Sequence, residues 1–163
     1  RLAQADACLF CLGVSSAGMS EADYRRVTYD LTLAVARQLA ERNPAMTFVY
    51  VSGQGTDAEG RAMWARVKGE TEDALLTLPF RAAYNARPGF IQPVGGAVSR
   101  TALYRALYAA VTPLLPALRR LLPRQILDSD QLGRALVEAG VAGAPRAILE
   151  VPDLQALAAR ADA

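Results

Sequence analysis

Two short apolar runs and a third strand-like run, each separated from the next by one long stretch of helical periodicity, constrain this chain more than any other feature. The runs cover 7–13, 46–51 and 81–87. Between the first two, Ser20-Glu21-Ala22-Asp23 supplies an N-cap and an acidic first turn. Tyr24, Val27, Leu31, Val35 and Leu39 follow at helical spacing until Asn43-Pro44 closes the segment, giving a helix over 20–42. Between the second and third runs, Met63, Val67, Thr71, Ala74 and Leu78 form one stripe of a helix expected over 58–78, ended by Pro79. No run is joined to the next by a hairpin turn. Strands alternating with helices in this way pair in parallel, because a right-handed crossover returns the chain to the same end of the sheet. The expected fold is therefore α/β: a parallel Rossmann-type sheet with flanking helices.

The rest of the chain reads as more helical from about residue 100. Segments 100–111 and 113–122 make an apolar helical pair interrupted at Pro113. Ser129 is expected to cap a helix over 130–138, stopped by Gly140, before a last strand at 147–151 and a terminal helix at 152–160. At 163 residues the chain suits a single domain spanning 1–163.

Composition removes several chemistries. The chain has no histidine, which excludes imidazole acid/base catalysis, Ser-His-Asp triads and His-containing metal sites. A net charge of +2 and the lack of a basic stripe argue against a nucleic-acid partner. The uncharged stretch 106–118 is too short for a membrane span and holds Pro113 and Pro116. Segment 7–14 is short, follows Asp6 and runs straight into a patterned domain, so it is not read as a signal core and a soluble, cytoplasmic protein is expected. The chain opens on Arg1, so its natural start is expected upstream. Cys8 and Cys11 fall three apart in the first strand, on opposite faces, and are expected to be buried, without redox or metal chemistry.

One loop carries a recognisable pattern. Gly53-Gln54-Gly55-Thr56-Asp57-Ala58 satisfies G-x-G-x-x-G/A between a predicted strand and a predicted helix. There the pattern can hold a pyrophosphate on backbone N–H groups. The next strand ends in Arg87-Pro88-Gly89, with no acidic residue at its tip to hold a ribose. The loop therefore reads better as a later strand-to-helix connection beside a cofactor.

The stretch Phe48-Val49-Tyr50-Val51-Ser52-Gly53, followed by Met63-Trp64-Ala65-Arg66-Val67-Lys68-Gly69-Glu70-Thr71-Glu72, resembles the short-chain dehydrogenase/reductase superfamily. The likeness is closest to its extended and atypical members, the NAD(P)-binding epimerase/dehydratase-like proteins. Cys11-Leu12-Gly13, Arg87-Pro88-Gly89 and the segment from Ser129 to Ala135 fit the same pattern. The resemblance implies that NAD or NADP is the cofactor. It would be lined by Leu12, Gly13, Val14, Ser52, Lys68, Arg87, Pro88 and Gly89, with Ser52 and Lys68 in catalytic positions and no metal. It also implies a first strand, a glycine-rich loop and a second strand upstream, so that Arg1 would lie near the start of the fourth strand.

The family's tyrosine, four residues before its lysine, is replaced here by Trp64. An indole N–H cannot give up its proton near neutral pH, and general acid/base catalysis needs a group that can. The resemblance thus implies either an oxidoreductase or epimerase-like enzyme with an impaired Ser-Tyr-Lys site, acting on an unidentified small molecule, or a non-catalytic nucleotide-binding regulatory protein. It further implies a homodimer through helices 20–42 and 58–78, for which Met63, Val67, Leu75, Leu78, Leu31 and Val35 offer apolar surface.

Overall fold

The computed structural model describes residues 4–94 and 126–161. β1 (Ala7–Phe10) is followed by α1 (Glu21–Arg25), a π-helical segment (Arg26–Asp30) and α2 (Leu31–Arg42). β2 (Thr47–Val51), α3 (Met63–Leu76) and β3 (Ala82–Ala86) come next. Two short strands, β4 (Phe90–Gln92) and β5 (Ile126–Asp128), precede α4 (Ser129–Val141), β6 (Ile148–Leu149) and α5 (Val151–Arg160). β1, β2, β3 and β6 lie in that order in one parallel sheet, and β4 pairs with β5 in a second, also parallel. The α/β, Rossmann-like arrangement is the one the alternation of strands and helices demands.

Each face of the sheet buries its own core. Side chains alternate along β2, so Phe48 and Tyr50 point one way while Val49 points the other. On the first face Phe10, Phe48 and Tyr50 pack with Leu33 and Ala36 of α2 and Leu75 of α3. Phe48 stacks between Phe10 and Phe80, at centroid distances of 5.8 and 5.1 Å. On the second face Val49 and Ala86 meet Leu136 and Ala139 of α4 and Leu154 and Leu157 of α5. Full burial of such side chains stabilises by roughly 1.5–3 kcal/mol each. That double coverage explains why β2 reads as an unbroken apolar run.

The structure departs from the sequence reading in several places. β1 ends at Phe10, opposite Tyr50, so Cys11 lies beyond the ladder and is exposed, while Cys8 is only partly covered. Among the described residues β1 has a neighbour on one side alone, which leaves both cysteines less buried than a central strand would. The helix over 20–42 is divided by the π-helical segment. α3 starts at Met63 rather than 58, because 53–60 closes into turns of its own: Thr56 N–H donates to Gly53 O and Gly60 N–H to Asp57 O. Asp128, not Ser129, caps α4, with Gln131 completing a reciprocal capping box. Gly140 does not stop that helix but lies inside it against β1, where a Cβ would stand 3.0 Å from that of Ala7. β4 and β5 were not anticipated. The helices expected over 100–111 and 113–122 lie outside the described residues.

Candidate functional site

Parallel strands bring their following loops to one edge of the sheet, where open α/β folds bind ligands. Leu12, Gly13 and Val14 follow β1, Ser52 follows β2, and Arg87, Pro88 and Gly89 follow β3. Two backbone hydrogen bonds join the last two loops: Ser52 N–H donates to Ala86 O at 2.7 Å and Gln54 N–H to Pro88 O at 2.9 Å. Leu12 and Val14 are exposed. Gly13 has no atom within 4 Å of where a Cβ would stand, so its backbone faces open space.

Lys68 sits on the second turn of α3, facing the first core. Its Nζ lies 3.5 Å from the Tyr50 hydroxyl and 5.2 Å from the centre of that ring. Burial lowers the ammonium from its ordinary value of 10.5 to about 8, against the opposing pull of Glu72. Tyr50 points to the same face as Ser52, two residues on, and is raised well above an ordinary phenol, chiefly by burial and then by Tyr24 and Glu72. Tyr24, on α1, is itself buried and shares a hydrogen bond with Thr28 of the π-helical segment. Segments of this kind are frequent at functional sites. Here the segment holds Thr28, and Tyr24 lies just before it on α1.

The remaining expected residues divide by what holds them. Ser52 is buried and its hydroxyl lies 3.0 Å from that of Thr56, which in turn donates to Gly53 O at 2.7 Å. Arg87 turns its guanidinium inward. Nε and Nη2 donate to the Glu72 carboxylate at 2.6–3.1 Å, and Nη1 reaches Glu150 at 3.3 Å. Its part at the edge is thus left to its backbone, beside Pro88 and Gly89. Trp64 is partly exposed and rests against the loop at Gly55, whose φ of +83° suits glycine.

The Gly53–Ala58 loop does not have a phosphate cradle's geometry. The N–H groups of Gln54, Thr56 and Asp57 are spent on Pro88 O, Gly53 O and Ala65 O. No helix opens on the loop either, since α3 begins at Met63. Instead the loop packs on α3 at Gly69, where a Cβ would come within 2.3 Å of Ala58 N.

Tyr50 and Glu72 are the participants that reading the sequence missed. Tyr50 lies within an apolar strand run, and Glu72 within the helical stretch that carries the resemblance, and neither is marked there by its sequence neighbours. One signal was available: Lys68 is the only lysine in the chain, and the other 17 basic residues are arginines. The apolar surface expected for a dimer is also partly spent inside the molecule. Val67 and Leu75 are fully buried, and Leu31 and Leu76 are the large apolar residues that α2 and α3 leave exposed.

No family model matches this chain. A 78-residue stretch is 31% identical to Protein FMP52-2, mitochondrial, of Scheffersomyces stipitis, covering 48% of this chain and 33% of that protein. The chain therefore matches about a third of the length of this curated relative. The relative's mitochondrial designation overturns the cytoplasmic expectation, which rested on the rejection of segment 7–14 as a signal and of segment 106–118 as a membrane span. Among the described residues no helix is long and apolar enough to cross a membrane.

Proposed function

We propose that this chain is part of an NAD(P)-binding protein of the epimerase/dehydratase-like, short-chain dehydrogenase/reductase type, with its carbonyl chemistry impaired. The observation that carries this reading is the placement of the only lysine. Lys68 stands on the helix after β2, with Ser52 at the strand's carboxyl end. A partly exposed ammonium there suits the hydroxyls of a ribose, and the open backbone at Gly13 suits the close approach of a flat ring. The residues present fit the nicotinamide–ribose half of the cofactor, whereas the Gly53–Ala58 loop does not fit the pyrophosphate.

When bound, the nicotinamide supplies or accepts hydride. Lys68 would donate to the ribose, and the Gly13 and Gly89 backbones would line the nicotinamide side. Ser52 can turn its hydroxyl outward only by giving up Thr56. No phenol stands at position 64, the place from which the family moves a proton to a carbonyl at the nicotinamide. That favours a second reading, a nucleotide-binding regulatory protein without turnover.

The single tryptophan makes the test direct. NADH or NADPH should quench Trp64 emission with transfer to the reduced nicotinamide, and Lys68→Met should weaken the effect about 10-fold, on the scale of one charge-assisted hydrogen bond. Quenching that Lys68→Met leaves untouched would remove Lys68 from the site. Consumption of the reduced cofactor with any of a panel of small carbonyl compounds would decide for the enzyme and against the regulatory protein.

A further inference from the structure

We propose that Lys68 serves as a neutral amine as well as a cation, and that it captures a small aldehyde or ketone as an imine at the carboxyl edge of the sheet. This goes beyond the cofactor reading and does not depend on dinucleotide binding.

Two independent observations lead there. The first is compositional: a chain that meets every other need for positive charge with 17 arginines keeps one lysine, on the helix that follows β2. Arginine cannot lose its proton in a protein, whereas lysine can, and a desolvated lysine is the usual imine-forming residue. The second is geometric. Among the described residues no carboxylate lies within ion-pair distance of the Lys68 ammonium. Glu72, one turn along α3, is turned to Arg87 at 2.6 Å, and Glu70, also on α3, pairs with Arg25 of α1. The groups that face the amine are the Tyr50 hydroxyl from β2, with Tyr24 behind it, and Glu72 at longer range. A phenol kept protonated is a hydrogen-bond donor to a neutral amine and a short-range carrier for its proton. With its pKa near 8, Lys68 is about one-tenth neutral at pH 7, where an ordinary lysine is neutral to less than about one part in a thousand.

The step balances without any further reactant. The Nζ lone pair forms a bond to the carbonyl carbon while the C=O π pair moves to oxygen. The oxygen takes a proton from Tyr50, and Tyr50 recovers one from the new N–C centre. The carbinolamine C–O bond then breaks, water leaves with the remaining N–H proton, and C=N forms. Nothing is oxidised or reduced.

The probe is pyridoxal, with cyanoborohydride to fix the imine as a secondary amine and peptide mapping to tell Lys68 from the amino terminus. No dinucleotide is added, so failure here and failure of cofactor binding are separate results. The intact chain should be labelled at Lys68 at least about 10-fold faster at pH 7 than a free lysine side chain, with a midpoint near pH 8. In Tyr50→Phe, which keeps the ring and its packing, the rate should fall. Label confined to the amino terminus, or Lys68 labelled no faster than free lysine with a midpoint above 10, would overturn the proposal. An unchanged rate in Tyr50→Phe would overturn the phenol's part in it.

Discussion

Lys68 and Gly69 are neighbours with opposite requirements, and each can be tested alone. Gly69 exists for the lack of a side chain. A Cβ at that position would press on the backbone of Ala58 at 2.3 Å, and backbone cannot step aside as a side-chain tip can. Gly69→Ala gains about 1 kcal/mol of helix propensity but should lose about 1–3 kcal/mol to overpacking, for a net fall in Tm of a few degrees. A rise in Tm by calorimetry would show that the loop is not seated on α3. For Lys68 the sign follows from its lowered pKa. Below about pH 8 the ammonium is charged in both folded and unfolded chains, and its burial opposes folding in full. Between about 8 and 10.5 the folded chain has released a proton that the unfolded chain still binds, so stability rises with pH. Lys68→Met should therefore be more stable than the parent at pH 7, with a margin that shrinks steadily as pH climbs towards 10. A margin independent of pH, in denaturant titrations across that range, would mean the amine is solvated.

The elements were legible in proportion to how locally they are determined. β1 and β2 announced themselves as continuous apolar runs, β3 by its place between Pro79 and the turn at Pro88-Gly89, and α2 by a stripe that repeats at helical spacing. β4 and β5 were not legible, since three residues such as Phe90–Gln92 become a strand through a partner 36 positions away. The start of α3 was misplaced because the turns at 53–60 are fixed by contacts with Ala65 and Pro88, which no local propensity encodes. The bond from Glu72 to Arg87 and on to Glu150 was hidden for the same reason. It ties α3 to the end of β3 and to the first turn of α5, where Glu150 is the N-cap. Glu72 is 1% exposed, so Glu72→Gln leaves the Arg87 guanidinium facing a neutral amide in a site that water hardly reaches. Breaking a buried pair from one side costs about 3–5 kcal/mol. The variant should lose that much in chemical denaturation, and a loss below about 1 kcal/mol would show that Glu150 alone suffices for Arg87.

At the scale of the whole molecule, the question is how much of a dinucleotide this chain can hold. The sheet edge offers an ammonium at Lys68, open backbone at Gly13, and the loops after β2 and β3 stitched together by two hydrogen bonds. All of these suit the nicotinamide and its ribose. The described loop whose pattern suits a pyrophosphate has spent the N–H groups of Gln54, Thr56 and Asp57 on neighbouring carbonyls. A phosphate at that loop would have to break those bonds before forming its own, and the exchange leaves little net gain. Full dinucleotide should therefore bind this 163-residue chain scarcely better than its nicotinamide mononucleotide half, within about 3-fold, or less than about 0.7 kcal/mol. Parallel calorimetric titrations with reduced mononucleotide and reduced dinucleotide measure that ratio directly. A preference of 100-fold or more for the dinucleotide would mean about 2.7 kcal/mol of grip on the second phosphate and adenosine. If Gly55→Ala then abolished the preference, the glycine-rich loop would be the phosphate site after all, rearranged on binding. A preference that survived Gly55→Ala would place the second half of the cofactor elsewhere on the molecule. A ratio near one leaves the whole of the affinity with Lys68 and the edge of the sheet beside it.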